Sequence, residues 1–158
     1  MIKLVCCGKM RMKWMKEGVQ EYTSRIQPYD KIQIIEVQDE KAPENNSASD
    51  DEKVKQIEGQ RMLAQIRQEE YVILLDLKGK TCDSVQLSKT IQDLYTYSHN
   101  KITFVIGGSL GVSQELIQRA NMRWKISDNT FPHQICRVIV LEQIYRAFRI
   151  MHNEPYHK

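Results

Sequence analysis

The sequence predicts an α/β fold with a mainly parallel sheet and helices on both faces. Three observations carry this. Short apolar runs alternate with amphipathic stretches along the whole chain; such alternation favours parallel strands joined by helical crossovers. Two of the runs, YVILLDL and KITFVIGG, are almost wholly apolar, as expected of strands covered on both faces. The length, 158 residues, suits a single domain spanning residues 1–158.

In order, IKLVCCG (2–8) reads as a strand and Met10 to about Ile26 as a helix closed by Gln27-Pro28. KIQIIEV (31–37) is β-branched and strand-like, and the Pro/Asn/Ser-rich stretch 38–49 is a long loop. Asp50 or Asp51 is placed to cap the next helix, whose Gly59 marks close packing or a kink. YVILLDL (71–77) is a central strand, Lys78-Gly79-Lys80 a turn, and Ser84 the cap of a helix reaching Tyr97. KITFVIGG (101–108) is the fourth strand, Ser113 caps a short helix, and MRWKIS (122–127) is the fifth strand. A long helix from about His133 to Met151 closes the fold.

That last helix carries apolar residues all round, among them Ile135, Val138, Ile139, Leu141, Ile144, Phe148 and Ile150. A helix apolar on every side must be buried on every side. One sheet covers one side, so a homodimer packed through this helix is expected. Glu142, Arg146 and Arg149 interrupt the apolar surface together, either as an ion-paired rim or as a polar wall facing a substrate.

Composition narrows the function. The net charge is +3, but residues 38–53 hold six acids against two lysines, and the remainder carries +7. The first sixteen residues contribute five cations and no acid. Polyanion binding is therefore allowed, though charge alone does not establish it. No apolar run approaches a membrane span of about 18 residues. The run before Lys9 is shorter than the core of a signal peptide, so a cytoplasmic protein is expected. Cys6, Cys7, Cys82 and Cys136 form no CxxC and have no histidine at zinc-ligand spacing, so reduced thiols and no metal are expected. Cys6 and Cys7 should face opposite sides of the sheet.

Ligands of parallel sheets bind beyond the carboxyl ends of strands, which directs attention to 75–79, 107–111 and 127–133. GGSLG (107–111) lets backbone approach a ligand closely, but it lacks the Lys-Ser/Thr of a phosphate loop and lies too late for a dinucleotide fingerprint. A plain tight turn explains it equally well. SDNTFPHQ (127–134) gathers hydrogen-bonding side chains ahead of a helix, and capping by Asn129 or Thr130 is the competing explanation.

The run TFPHQICRVIVLEQIYRAFRIMHNEPYHK, together with VIGGSLG, LLDLKGK, EGQRML and EYTSRIQPY, closely resembles the RlmH (YbeA/OrfX) family of SPOUT-class RNA methyltransferases over nearly the whole chain. The resemblance implies a C-terminal trefoil knot, obligate dimerisation and S-adenosylmethionine bound in the knot. It also implies methylation of N3 of a pseudouridine in 23S ribosomal RNA of assembled ribosomes. On this basis Leu75, Gly107, Gly108, Ser127, Asp128, Asn129, Thr130, Phe131 and Pro132 are expected to hold the cofactor. His157, Tyr156, His133 and Arg146 are expected at the chemistry, and Arg137 and Arg149 on RNA. Two other readings compete: a nucleotide-dependent oxidoreductase, separable by adenine-dinucleotide titration, and a non-catalytic dimeric ribosome-binding module, which would bind ribosomes but no cofactor. With no appended RNA-binding domain, target specificity is expected to come from the shape of the assembled ribosome.

Overall fold

The computed structural model describes residues 1–97 and 99–158. Its elements are β1 (Ile2–Cys7), α1 (Lys13–Ile26), β2 (Ile32–Val37), α2 (Ala48–Leu63), β3 (Tyr71–Thr81), α3 (Ser84–Tyr97), β4 (Ile102–Ile106), α4 (Gln114–Arg119), β5 (Met122–Lys125) and α5 (His133–Met151). All five strands join one sheet in the order β2-β1-β4-β3-β5, and every strand pair is parallel.

Side chains alternate across this sheet and divide the core in two. Leu4, Cys6, Ile73, Phe104 and Ile106 face α5, where they meet Val140, Leu141, Ile144 and Phe148. Val5, Cys7, Val72, Leu74 and Val105 face the other way, onto Met62 of α2 and Leu116 of α4. Cys6 and Cys7 thus separate as expected, and burial pushes both thiols up to about 12. They are packing groups, not nucleophiles. At the amino end of the sheet Lys3 is buried against Glu70, 2.7 Å away, and Thr103 donates to the same carboxylate at 2.8 Å.

Several element boundaries differ from expectation, each for a local reason. The first helix begins at Lys13, not Met10, because the backbone N–H of Met10 donates to Glu36 and that of Arg11 to Gln134, holding this segment extended. Ser47, not Asp50 or Asp51, caps α2, and Asp50 closes a reciprocal capping box with it. Lys78-Gly79-Lys80 is not a turn. The strand continues to Thr81, with a register break between Leu75 and Lys80 that bulges residues 76–79 outward. Asp83 and Gln86 exchange the capping bonds ahead of α3 that were assigned to Ser84. The fifth strand stops at Lys125, and α5 starts after Pro132 with no side-chain cap, so Asn129 and Thr130 do not cap it.

Gly59 serves close packing. A Cβ there would lie 2.2 Å from Ser113 Oγ, so Gly59→Ala must push α2 from the start of α4. We expect a loss of about 1–3 kcal/mol in urea unfolding, in the range of an overpacked core.

α5 is flanked by α1 and α3, which supply part of the cover its apolar surface requires. Ile135, Ile139 and Ile150 remain only half-buried on its outward side, while Val138 packs towards Gly18 of α1. Asn153, in the left-handed conformation at φ 54, ends the helix and reverses the chain. Residues 154–157 then fold back along α5.

Candidate functional site

A cleft of about 720 Å³ opens at the carboxyl ends of β3 and β4, the size range of small-molecule sites. Three loops enclose it: the bulge 75–78 on β3, the turn 106–112 after β4, and the segment 126–133 leading into α5. The loops meet here because β4 and β5 both pair with β3. Gly107 and Gly108 form the close-packed side. A Cβ at Gly107 would lie 2.6 Å from Val112, and one at Gly108 would lie 2.6 Å from Glu58 Oε2. Gly111, at φ 101, makes the turn between them and α4.

Of the residues expected at a cofactor, Leu75, Gly107, Gly108, Ser127, Asn129, Thr130, Phe131 and Pro132 all line this cleft. Asp128 does not. Its carboxylate points to solvent and pairs with Lys125 at 2.6 Å, which holds it below the usual carboxylate range. The sequence reading missed Lys55, reaching in from α2, and the wall built by Trp124 and Ile126. Alternation along the fifth strand was the available signal, since it places these two on the same face. The indole Nε1 of Trp124 is buried with no acceptor among the described residues.

His133 lines the cleft from the first turn of α5. Burial lowers its pKa, and the neighbouring Arg137 charge lowers it further against the opposing pull of Glu58 and Asp39. Its neutral, proton-accepting form therefore dominates at pH 7. Proton NMR of the ring should show a midpoint below the ordinary 6.5. A lowered histidine pKa favours the folded state at neutral pH, and that contribution fades as pH falls below the unfolded value.

The other expected catalytic groups lie elsewhere. Arg146 pairs with Glu142 at 2.6 Å, and its guanidinium sits 4.6 Å from the centre of the Tyr156 ring. The Tyr156 hydroxyl donates to Glu142 at 3.1 Å; burial first, then Tyr22 and Glu142, push its pKa up to about 12, so it stays a neutral donor. His157 Nδ1 lies 3.3 Å from Arg146 Nη1. Arg149 contacts the Tyr29 hydroxyl, Glu154 and the Pro155 carbonyl. These contacts bind the tail to the C-terminal half of α5. Arg146 lies thirteen positions along the helix from His133, a rise of about 20 Å. The chain therefore holds its own cleft and tail apart.

Arg137, expected on RNA, is instead part of the core. It is buried, pairs with Glu36 at 2.8 Å, and donates to the carbonyls of Cys7 and Gly8 at 2.7 Å each. Its guanidinium ties α5 to the ends of the first two strands and is shielded from solvent rather than exposed for RNA. Among the described residues no cluster suited to a metal ion occurs, and no helix is long and apolar enough to cross a membrane.

Comparison with known proteins agrees with this geometry. A family model described as "Predicted SPOUT methyltransferase" matches residues 1–157. The chain is 50% identical over 157 residues to the ribosomal RNA large subunit methyltransferase H of Lactobacillus acidophilus, covering 99% of each protein. It is 49% identical to the protein of that name from Bacillus pumilus and 48% identical to that from Carboxydothermus hydrogenoformans, again covering 99% of each. The cleft beyond the parallel strands, the glycine turn and these full-length matches lead to one conclusion: the chain belongs to the SPOUT methyltransferase family.

Proposed function

We propose that this protein transfers the methyl group of S-adenosylmethionine to N3 of a pseudouridine in 23S ribosomal RNA of assembled ribosomes. It acts as a homodimer in which each site joins the cleft of one protomer to the C-terminal tail of the other. The observation that carries this is the separation of cleft and tail along α5. The half-buried Ile135 and Ile139 give the second copy an apolar surface to cover.

The cleft residues fit the cofactor. Leu75, Ile106, Ile126 and Phe131 offer an apolar slot for an adenine. Gly107 and Gly108, packed tightly against Val112 and Glu58, keep the turn's backbone at the cleft, where it offers polar groups to such a ring. The cofactor, once bound, supplies an electrophilic methyl group on a sulfonium. The chain positions the acceptor base and manages one proton, since N3 must lose its hydrogen as the N–CH₃ bond forms and the S–CH₃ bond breaks. Arginine only donates, so while Arg146 holds His157 Nδ1 the neutral imidazole carries its hydrogen on Nε2. When Arg146 turns to a carbonyl oxygen of the base, it stabilises the developing imide anion and frees Nδ1 to accept the N3 proton. Tyr156 supplies a flat face and a donor beside the base, and Arg149 a charge for phosphate.

Calorimetric titration with S-adenosylmethionine, with NAD as the control ligand, tests the cofactor assignment. Saturable binding of S-adenosylmethionine alone is expected, followed by methylation of ribosomes in its presence. A folded dimer that binds neither ligand would overturn the proposal and favour a non-catalytic ribosome-binding module. Binding of NAD alone would point to an oxidoreductase.

A further inference from the structure

Beyond the cleft and the tail, one surface is exposed and basic without serving the fold. Lys9, Arg11, Met12, Lys13, Trp14 and Lys16 are all exposed, with Met12 and Trp14 at 52% and 54%. Trp14 is large and apolar, and leaving it in water forfeits its burial energy. Lys9, Arg11 and Lys16 make no ion pair among the described residues, and Lys13 meets only Glu17 on the helix surface, at 3.7 Å. Apart from Glu17, the acids beside the ribbon are Glu36 and Asp39, which line an adjoining groove of about 820 Å³. Glu36 is already taken by Arg137 and the Met10 N–H.

The position matters as much as the charge. The Gln134 amide donates to the Lys9 carbonyl at 3.4 Å, and its oxygen accepts from the Arg11 N–H at the same distance. Gln134 follows His133 directly, so this ribbon adjoins the rim of the cleft. An aromatic face interleaved with cations is the chemistry that binds single-stranded nucleic acid, with phosphates on the charges and a base stacked on the ring.

We infer that residues 9–16 dock the ribosomal RNA strand bearing the target base, with Lys9, Arg11, Lys13 and Lys16 on its phosphates and Trp14 stacked on an unpaired base. This rests on the rRNA methyltransferase reading and adds to it the surface that receives the substrate. It answers a physical need, because a chain of net charge +3 must concentrate its positive field where the polyanion arrives.

The test is cosedimentation of the full-length protein with ribosomes across a salt series, beside calorimetry with S-adenosylmethionine and light scattering. Replacing all four cations by glutamine should lower ribosome affinity and reduce the slope of log affinity against log salt by about 3. Trp14→Ala should weaken ribosome binding by about tenfold or more, and Trp14→Phe should restore most of it. Cofactor affinity and subunit stoichiometry should not change. Unaltered affinity and salt slope would overturn the inference. So would a change of stoichiometry in Trp14→Ala, which would make this face a subunit contact. A wild-type protein that binds ribosomes but no S-adenosylmethionine would defeat the enzyme reading alone, and the salt series would still decide this surface.

Discussion

Alanine at His157 is expected to lower the turnover of ribosome methylation by about 10²–10⁴-fold, the usual contribution of a positioned acid or base, with S-adenosylmethionine affinity unchanged. The split follows from geometry. His157 lies against Arg146, not in the cleft, so its loss leaves the cofactor pocket intact. His133→Gln should behave differently, since His133 lines the cleft and its replacement alters the pocket itself. Single-turnover kinetics on purified ribosomes, paired with calorimetry, separates the two. Wild-type turnover in His157→Ala would remove it as the proton acceptor. Arg146→Lys should also be impaired, because an ammonium cannot reproduce the planar fork that serves Glu142, the Tyr156 ring and His157 together.

The largest effect on stability is expected at the buried pair on the second face of the sheet. Glu70→Ala leaves the Lys3 ammonium without its carboxylate, and Thr103 and Lys3 both lose an acceptor. Breaking a buried pair from one side costs about 3–5 kcal/mol, which in a protein of this size lowers Tm by roughly 6–20 °C. Replacing both partners with apolar residues should recover much of that loss. The pair also sets a pH dependence. Burial raises the Glu70 pKa, but hydrogen bonds from Lys3 and Thr103, the Lys3 charge and the Arg67 contact outweigh it and leave the net shift downward. The folded state therefore binds the proton less readily than the unfolded chain. The resulting stability is full above the ordinary carboxylate pKa and is lost as pH falls through the lower folded value. Thermal melts between pH 3 and 7 should show Glu70→Ala converging on wild type at the acid end.

The legible parts of the sequence were those set by local pattern. Strand alternation gave the parallel sheet and placed Cys6 and Cys7 on opposite faces, because side chains alternate by geometry. The bounds of α5 and the Ser113 cap were readable because periodicity and cap chemistry are written within a few residues. Distant pairings were not. Arg137 reads as one more helix cation until β2 brings Glu36, a hundred positions earlier, against it. Lys78-Gly79-Lys80 has turn composition, yet pairing with the fifth strand holds it in the sheet as a bulge. Most cleft residues were anticipated because the loops after parallel strands are where ligands bind. Asp128, which the family resemblance placed at the cofactor, turns outward to Lys125, an orientation that the polarity of a loop does not express. The knot implied by the family resemblance concerns how the chain threads, which neither periodicity nor strand order expresses.

A shared site makes a quantitative prediction that a self-contained one does not. Gly107→Val forces the 107–111 turn away from Val112, which a Cβ alone already meets at 2.6 Å, so it should distort the cleft and abolish cofactor binding while leaving the tail intact. His157→Ala should do the reverse. Each protein alone should be inactive on ribosomes. Dissociated and reassociated in equal amounts, half the dimers are mixed, and each mixed dimer has one cleft and one tail that are both sound and face each other. The mixture should then regain about a quarter of wild-type activity, as two-fold symmetry requires. A mixture as inactive as its components, with mixed dimers demonstrably formed, would contradict a site built from the cleft of one protomer and the tail of the other.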